Sequence, residues 1–151
     1  MTLKQYCFIA PKDLSYDKSN LDAESERTAQ VHNKYLIFYL EETTRLETLN
    51  RAFDTLWHEQ IKYYLGKADP AVYKAKPFDI KVRPIKSEVE QWLKADPEIQ
   101  AADTEIKDQE KVVKYLNDTL KQINQRGYEI RAMIDWLRFK HGLNNRTDQL
   151  N

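Results

Sequence analysis

Apolar side chains recur at helical spacing along the first half of the chain. From about residue 21 to residue 65 there is no proline or glycine, and positions three and four residues apart form one largely apolar stripe. The stripe comprises Tyr35, Tyr39, Leu46, Leu49, Phe53, Leu56 and Tyr63, with Glu42 and Gln60 at the intervening positions. Gly66 follows, as expected of a helix C-cap. The pattern predicts a helix of roughly forty residues, about 60 Å long at 1.5 Å per residue.

A heptad pattern dominates the last third of the chain. Twelve positions from Ile99 to Leu137 follow alternating steps of three and four, and ten of them are apolar. Asp96 and Pro97 provide an N-cap and a first helical residue, and Gly142 is the predicted C-cap. Such a seam packs either against another helix of the chain or against copies of itself. We predict a homo-oligomer, formed through Ile106, Val113, Leu116, Leu120, Ile123, Ile130, Ile134 and Leu137.

The remaining segments give weaker signals. Residues 3–11 read as an edge strand or a docked arm ended by Pro11. Three prolines between residues 62 and 86 favour loop and short strand over helix there. Ser87 and Glu90 form a candidate capping box for a short helix. The predicted fold is mainly α: long helices joined by a basic loop or short β segment, with residues 1–96 as an N-terminal helical region, 97–142 as an oligomerisation helix and 143–151 as a tail.

Composition supports long helices. Charged residues make up 32% of the chain, hydrophobic residues 41%, and only three glycines occur. The formal net charge is zero, but it is unevenly distributed: residues 62–86 sum to +5, residues 87–110 to −6 and residues 111–151 to +4. A neutral protein with this distribution can still carry a basic face.

The segment 62–86 is the strongest candidate for function. Its seven Lys and Arg residues alternate with tyrosines, and cations that follow phosphates beside rings on which bases stack are typical of single-strand binding. The predicted nucleic-acid-binding residues are Lys62, Tyr63, Tyr64, Lys67, Tyr73, Lys74, Lys76, Lys81 and Arg83. The alternative for this segment is a solvated loop whose tyrosines pack at a helix end. The basic C-terminal residues could extend the phosphate track or pair with the acidic run of a neighbouring copy, and we favour the pairing.

Other functional classes lack their motifs. His58-Glu59 begins like the zinc-protease helix motif, but Lys62 stands where the second histidine is required. A phosphate-binding glycine loop and a nucleophile motif are also lacking, so we expect no enzymatic activity, no metal and no cofactor. The single cysteine, Cys7, indicates a reducing compartment. We expect neither a secretory signal nor a membrane span.

Three blocks of residues resemble the UvsY-type recombination mediator family of T4-like bacteriophages. The first is Tyr63-Tyr64-Leu65-Gly66-Lys67. The second is Lys86-Ser87-Glu88-Val89 with Leu93, Ala95, Asp96 and Ile99. The third is Ile123, Arg126-Gly127-Tyr128, Ile130 and Ile134, continuing to Phe139 and Gly142. The blocks occur in the family's order over about residues 20–142. The chain has His58 and Gln60 at positions where a well-known member of the family looks basic, so DNA contacts there would shift to Lys62, Lys67 or residues 74–86.

The resemblance implies a non-enzymatic protein that binds single-stranded DNA. It would help a RecA-like recombinase to displace the single-strand-binding protein, acting as a ring of six or seven subunits in the cytoplasm of the bacterial host. Two alternatives follow from the residues themselves. One is a structural coiled-coil scaffold whose basic segment docks an acidic protein partner, and the other is an adaptor that binds another protein's helix.

Overall fold

In the described residues the fold consists of five α-helices and one short 3-10 helix. The computed structural model describes the backbone of residues 1–148 and the side chains of residues 1–142. The helices are α1 (Leu3–Leu14), α2 (Leu21–Tyr64), α3 (Pro70–Ala75), α4 (Val89–Ala95) and α5 (Pro97–Asp148), and the 3-10 helix spans Ile80–Val82. The described residues form no β-strand, and none of their helices is both long and apolar enough to cross a bilayer.

The two long helices confirm the apolar patterns. Helix α2 has 44 residues and α5 has 52. Asp96 caps α5 as predicted, because its Oδ1 accepts hydrogen bonds from the backbone N–H groups of Glu98 at 2.8 Å and Ile99 at 3.1 Å. The prediction that α5 ends at Gly142 is wrong, since the helix continues to Asp148. A glycine inside a helix costs only about 0.5–1 kcal/mol relative to alanine, which is too little to end it.

Gly66 ends α2 as the sequence predicts. Its φ of 74° is left-handed. The Gly66 N–H donates to the Tyr63 carbonyl at 3.1 Å and the Lys67 N–H donates to the Lys62 carbonyl at 2.8 Å. These two bonds are those of the Schellman motif, and they satisfy carbonyl groups that the helix end leaves unpaired.

Substituting Gly66 with alanine should therefore lower the free energy of unfolding by about 1–2 kcal/mol, the cost of left-handed backbone for a residue with a Cβ. Gly127→Ala is the matched control. A Cβ at Gly127 would meet only Thr28 Cγ2, at an ordinary 3.5 Å, so this variant should gain up to about 1 kcal/mol of stability. Urea unfolding of both variants measures the contrast, and equal effects at the two glycines would contradict it.

The N-terminal residues form a helix, so the predicted edge strand or loose arm is wrong. Thr2 and Gln5 make a complete capping box at the start of α1. Pro11 lies inside the last turn of this helix instead of ending the segment. Tyr6 and Ala10, four residues apart, are buried. The cap and the buried pair stabilise a helix whose final turn tolerates one proline.

The basic segment also contains helix where loop or short strand was predicted. Asp69 caps α3 by accepting from the Ala71 N–H at 2.9 Å, and Pro70 is its first residue. Proline at this position supports a helix, because its missing N–H would have no intrahelical partner there and its φ already suits the helix. The predicted Ser87 capping box is wrong as well, since α4 begins after Glu88 and has no side-chain cap.

The chain divides into two compact units. The first contains residues 1–42 and those from Lys111 onward. Its core packs α1 and the first part of α2 against α5 through Tyr6, Ala10, Val31, Tyr35, Val112, Leu116 and Ile123. Tyr6 also donates a hydrogen bond to Glu42 Oε1 at 2.8 Å, which accounts for a carboxylate within the predicted stripe of α2.

The second unit contains residues Thr43–Glu110. It comprises the rest of α2, the whole basic segment, α4 and the start of α5. The predicted boundary at residue 96, between an N-terminal helical region and an oligomerisation helix, stays a prediction. Of the predicted tail, 143–151, α5 includes the backbone up to Asp148, and the remainder lies outside the described residues.

Candidate nucleic-acid interface

The seven cations of the basic segment are all exposed. They lie at the end of α2, on the short helix α3 and on the 3-10 helix with the residues that follow it. Folding therefore leaves the predicted basic surface open to solvent. The cations are Lys62, Lys67, Lys74, Lys76, Lys81, Arg83 and Lys86.

Lys76 differs from the other six because it has an acidic partner. Its Nζ lies 2.7 Å from Glu98 Oε1, and the Gln60 side chain donates to the other oxygen of Glu98 at 3.0 Å. The hydrogen bond that Lys76 donates to Glu98 raises the pKa of Lys76, and burial opposes this effect in part. None of the other six has a carboxylate within 4 Å in the part of the chain that the structure describes. Their charge is available to an anionic ligand.

Five of the cations border one of two cavities, and the two linings differ in charge. Lys62 and Lys76 border a cavity of about 420 Å³ together with Glu59, Asp69 and Glu98. Here the charges are mixed, which weakens the attraction for phosphate. Lys67, Arg83 and Lys86 border a cavity of about 310 Å³ whose remaining lining residues, Leu65, Pro84 and Ile85, are apolar. This second group concentrates positive charge. Lys74 and Lys81 border neither cavity.

The tyrosines form a packed cluster with Phe78 and Trp92. Tyr63 and Tyr73 stack with ring centroids 5.4 Å apart, and Phe78 lies 5.2 Å from Tyr63 and 5.6 Å from Tyr64. Trp92 contacts Tyr64 at 5.8 Å and Phe78 at 6.3 Å. Such ring pairs add more stability than the burial of their apolar surface alone would give. The cluster fastens the basic segment to α2 and α4.

The hydroxyl groups of the cluster are also occupied. Tyr73 donates to the Tyr63 carbonyl at 2.8 Å, and Tyr63 donates to the Lys76 carbonyl at 3.1 Å. Tyr64 donates to Asp96 Oδ2 at 2.5 Å, and burial together with this bond raises the pKa of Tyr64. Tyr63 is only 5% exposed, and its ring and hydroxyl contacts hold the basic segment in place. The stacking of bases on these rings stays a prediction.

The predicted oligomerisation residues are distributed between the core and the surface. Leu116, Ile123 and Ile130 are wholly buried within the chain itself. Ile106, Val113, Leu120 and Ile134 are partly buried, and Leu137 is exposed. A charge placed at Leu116 would therefore destabilise the folded protomer itself, whether or not this residue contributes to a subunit interface. Their role in assembly stays a prediction.

The C-terminal part of α5 carries exposed apolar side chains, of which the heptad pattern included only Leu137. Trp136 is 62% exposed and Phe139 is 58% exposed, and their rings contact each other at 5.9 Å. Leu137 lies between them in sequence. Exposed aromatic pairs are typical of surfaces that another protein covers.

Sequence reasoning did not select Lys86, Leu65 or Ile85 as site residues. All three line the cavity that Lys67 and Arg83 share. Lys86 belonged to the same charge run and could have been included on that signal. Leu65 and Ile85 carried no sequence signal, because only folding brings positions twenty residues apart to one cavity. In the described residues, no group of three or more His, Cys, Asp or Glu side chains could hold a metal ion.

Comparison with known proteins identifies the family. Residues 10–143 match the family described as "Recombination, repair and ssDNA binding protein UvsY". No curated protein sequence matches the chain significantly.

Crystal structures of the bacteriophage T4 recombination mediator protein UvsY share the fold. The lattice type II structure has a TM-score of 0.82 and 21% identity, covering 93% of this chain and 98% of that one. For lattice type IV the TM-score is 0.78, the identity 18% and the coverage 93% and 99%. For lattice type I the values are 0.79, 20%, and 90% and 98%. The family match spans most of the sequence, and the chain therefore belongs to the UvsY family of recombination, repair and single-stranded-DNA-binding proteins.

Proposed function

We propose that this chain is a recombination mediator whose basic segment, residues 62–86, binds single-stranded DNA. Phosphates contact the exposed cations, while the aromatic cluster keeps the segment in a fixed position. Contacts of this kind depend on backbone charge and so carry little sequence preference. Membership of the UvsY family and the fold shared with the T4 mediator support this function.

The proposal rests on six exposed cations that have no carboxylate within 4 Å among the described side chains. They lie on a protein of zero net charge, within one segment of +5. On most protein surfaces, interspersed acidic residues compensate such charge. Here the acidic excess lies in residues 87–110, and among the described residues of that stretch only Glu98 forms an ion pair with a cation of the basic segment.

Titration of a fluorescent single strand and a duplex of equal length, at several salt concentrations, tests the proposal. We expect tighter binding to the single strand and a linear fall of log K with log salt, with a slope of about −0.7 for each phosphate contacted. Failure to bind at low salt would assign the basic segment to an acidic protein partner, as in a structural scaffold.

The proposed partners are a RecA-like recombinase and the single-strand-binding protein that covers the strand in the cytoplasm of the bacterial host. By holding the strand, the mediator keeps a length of DNA accessible while the recombinase nucleates. The measurement is recombinase filament formation on strands covered by the binding protein, with and without this chain. Equal rates would exclude a loading role.

We also propose that the protein works as a homo-oligomer, in a ring of six or seven subunits. Several copies would place their basic segments on one strand, so that individually weak contacts act together. The surface that supports assembly is the exposed C-terminal part of α5, where Leu137 follows Ile134 in the seam and Trp136 and Phe139 add an exposed aromatic pair outside it.

The double variant Trp136→Asp/Phe139→Asp should dissociate the oligomer, because two charges would have to be buried in the subunit contact. Sedimentation velocity measures the change in mass. Lys140→Asp is the control: it reverses a charge in the same helical turn and removes no apolar surface, so the oligomer should persist. An unchanged mass in the double variant would contradict the assignment of this surface.

A further inference from the structure

The cavity of about 310 Å³ beside Gly66 combines positive charge and apolar surface in one place. It lies between the turn that follows α2, which contributes Leu65 and Lys67, and residues 83–86 after the 3-10 helix. The left-handed turn at Gly66 brings these two segments together. A Cβ at Gly66 would lie 3.5 Å from Arg83 Nη1 and 3.7 Å from Ile80 Cγ2.

The lining residues match the two chemical parts of a nucleotide. Lys67, Arg83 and Lys86 are exposed and can contact phosphate oxygens. Leu65 and Ile85 offer aliphatic surface, and Ile85 is 64% exposed. The volume lies at the lower end of the roughly 300–1,000 Å³ typical of small-ligand sites.

We propose that this cavity binds one nucleotide of the single strand, with its phosphate on Lys67, Arg83 and Lys86 and its base against Leu65 and Ile85. The inference rests on the proposed single-strand binding and adds a base contact to it. It also assigns base contact to aliphatic side chains instead of the packed tyrosines.

A base held in this cavity is removed from the stack of its neighbours. Aliphatic side chains that contact base faces are a known means of interrupting base stacking in DNA. A paired base would have to leave its duplex partner first, which costs free energy and gives a preference for the single strand.

The fluorescence of 2-aminopurine in a single strand tests this directly, since the base is quenched when stacked and brightens when it is separated from its neighbours. The wild-type protein should brighten an oligonucleotide of adenines that contains several 2-aminopurines. The variant Ile85→Ser should lose most of that brightening at saturating protein, with affinity reduced roughly fivefold, equivalent to about 1 kcal/mol. Its salt slope should not change, because no cation is removed.

Val82→Ser is the matched control. Val82 is 61% exposed in the same basic segment but does not line the cavity. Full brightening with Val82→Ser, combined with its loss in Ile85→Ser, supports the proposal. Equal brightening in both variants overturns it, and so does an equal loss in both.

Two further measurements separate this inference from the proposed function. If Lys67→Ala, Arg83→Ala and Lys86→Ala together leave single-strand binding unchanged, the proposed binding segment fails and the nucleotide site fails with it. If they weaken binding while Ile85→Ser behaves like Val82→Ser, only the nucleotide site fails. Free dAMP distinguishes the source of the nucleotide: no displacement of the strand at millimolar dAMP supports a site for the polymer, and displacement overturns that assignment.

Discussion

Replacing Lys67, Lys81, Arg83 and Lys86 with alanine should lower affinity for a single strand by about 10²–10³-fold near 0.1 M salt. Each phosphate contact on a single strand contributes about 0.7 to the slope of log K against log salt, so four lost contacts should flatten that slope by about 3. The four cations are exposed, and their removal buries no new polar group. The fold and the proposed oligomer should therefore persist, as measured by circular dichroism and sedimentation.

Two controls make this result specific. Lys94 and Lys107 belong to the same unit but already pair with Glu90 at 3.1 Å and Asp103 at 2.5 Å. Replacing both with alanine should change the slope little. Glu98→Gln should act in the opposite direction, raising affinity about fivefold, because it releases Lys76 for a phosphate. Unchanged binding in the four-cation variant would remove the segment as the DNA site.

Arg126→Ala should lower the free energy of unfolding by about 3–5 kcal/mol, the largest stability effect expected of a single substitution outside the apolar core. The Arg126 side chain is 3% exposed and forms an ion pair with Glu24. It donates to the Leu14 carbonyl at 3.1 Å, to the Glu24 carbonyl at 3.1 Å and to the Thr28 hydroxyl. It therefore joins the end of α1, the start of α2 and the middle of α5.

Chemical denaturation with urea measures this effect. Arg131→Ala is the control on the same helix, since Arg131 is exposed and its loss should stay within about 0.5 kcal/mol. The double variant Glu24→Gln/Arg126→Met should recover part of the loss, because it removes the carboxylate that Arg126→Ala leaves without its partner. If the Arg126→Ala variant were as stable as the wild type, the attraction within the buried pair would do no more than offset the free-energy cost of its desolvation.

The long helices could be read from the sequence because their signal is local and repeated. A stripe such as Tyr35, Leu49 and Tyr63 recurs at every turn, so errors at single positions average out. The end of α2 at Gly66 and the start of α5 at Asp96 could also be predicted, since each depends on the backbone conformation or the side chain of one residue. The cations of the basic segment were found for a similar reason, because charge density is a property of composition.

The short helices were predicted less well, because the general rule that proline disfavours helix ignores where in the helix the proline lies. Pro11 was read as ending a strand or arm and Pro70 as disfavouring helix, yet Pro11 lies in the last turn of α1 and Pro70 is the first residue of α3, where proline suits a helix. Tyr63 and Tyr73 were read as rings open to DNA. Whether a ring of this cluster faces solvent depends on the residues packed against it, such as Phe78 and Trp92, which are distant in sequence.

The sequence by itself determined the helical class, the two long helices, the position of the basic segment and, through three short blocks, the family. Each of these depends on residue type and on spacing along one helix or one segment. Tertiary structure alone decided that α5 buries Leu116 and Ile123 against α1 and α2, that Glu98 neutralises Lys76, and that Lys67 meets Arg83 and Lys86 around one cavity. These contacts join residues far apart in the chain, and they form only when many weak interactions are satisfied together.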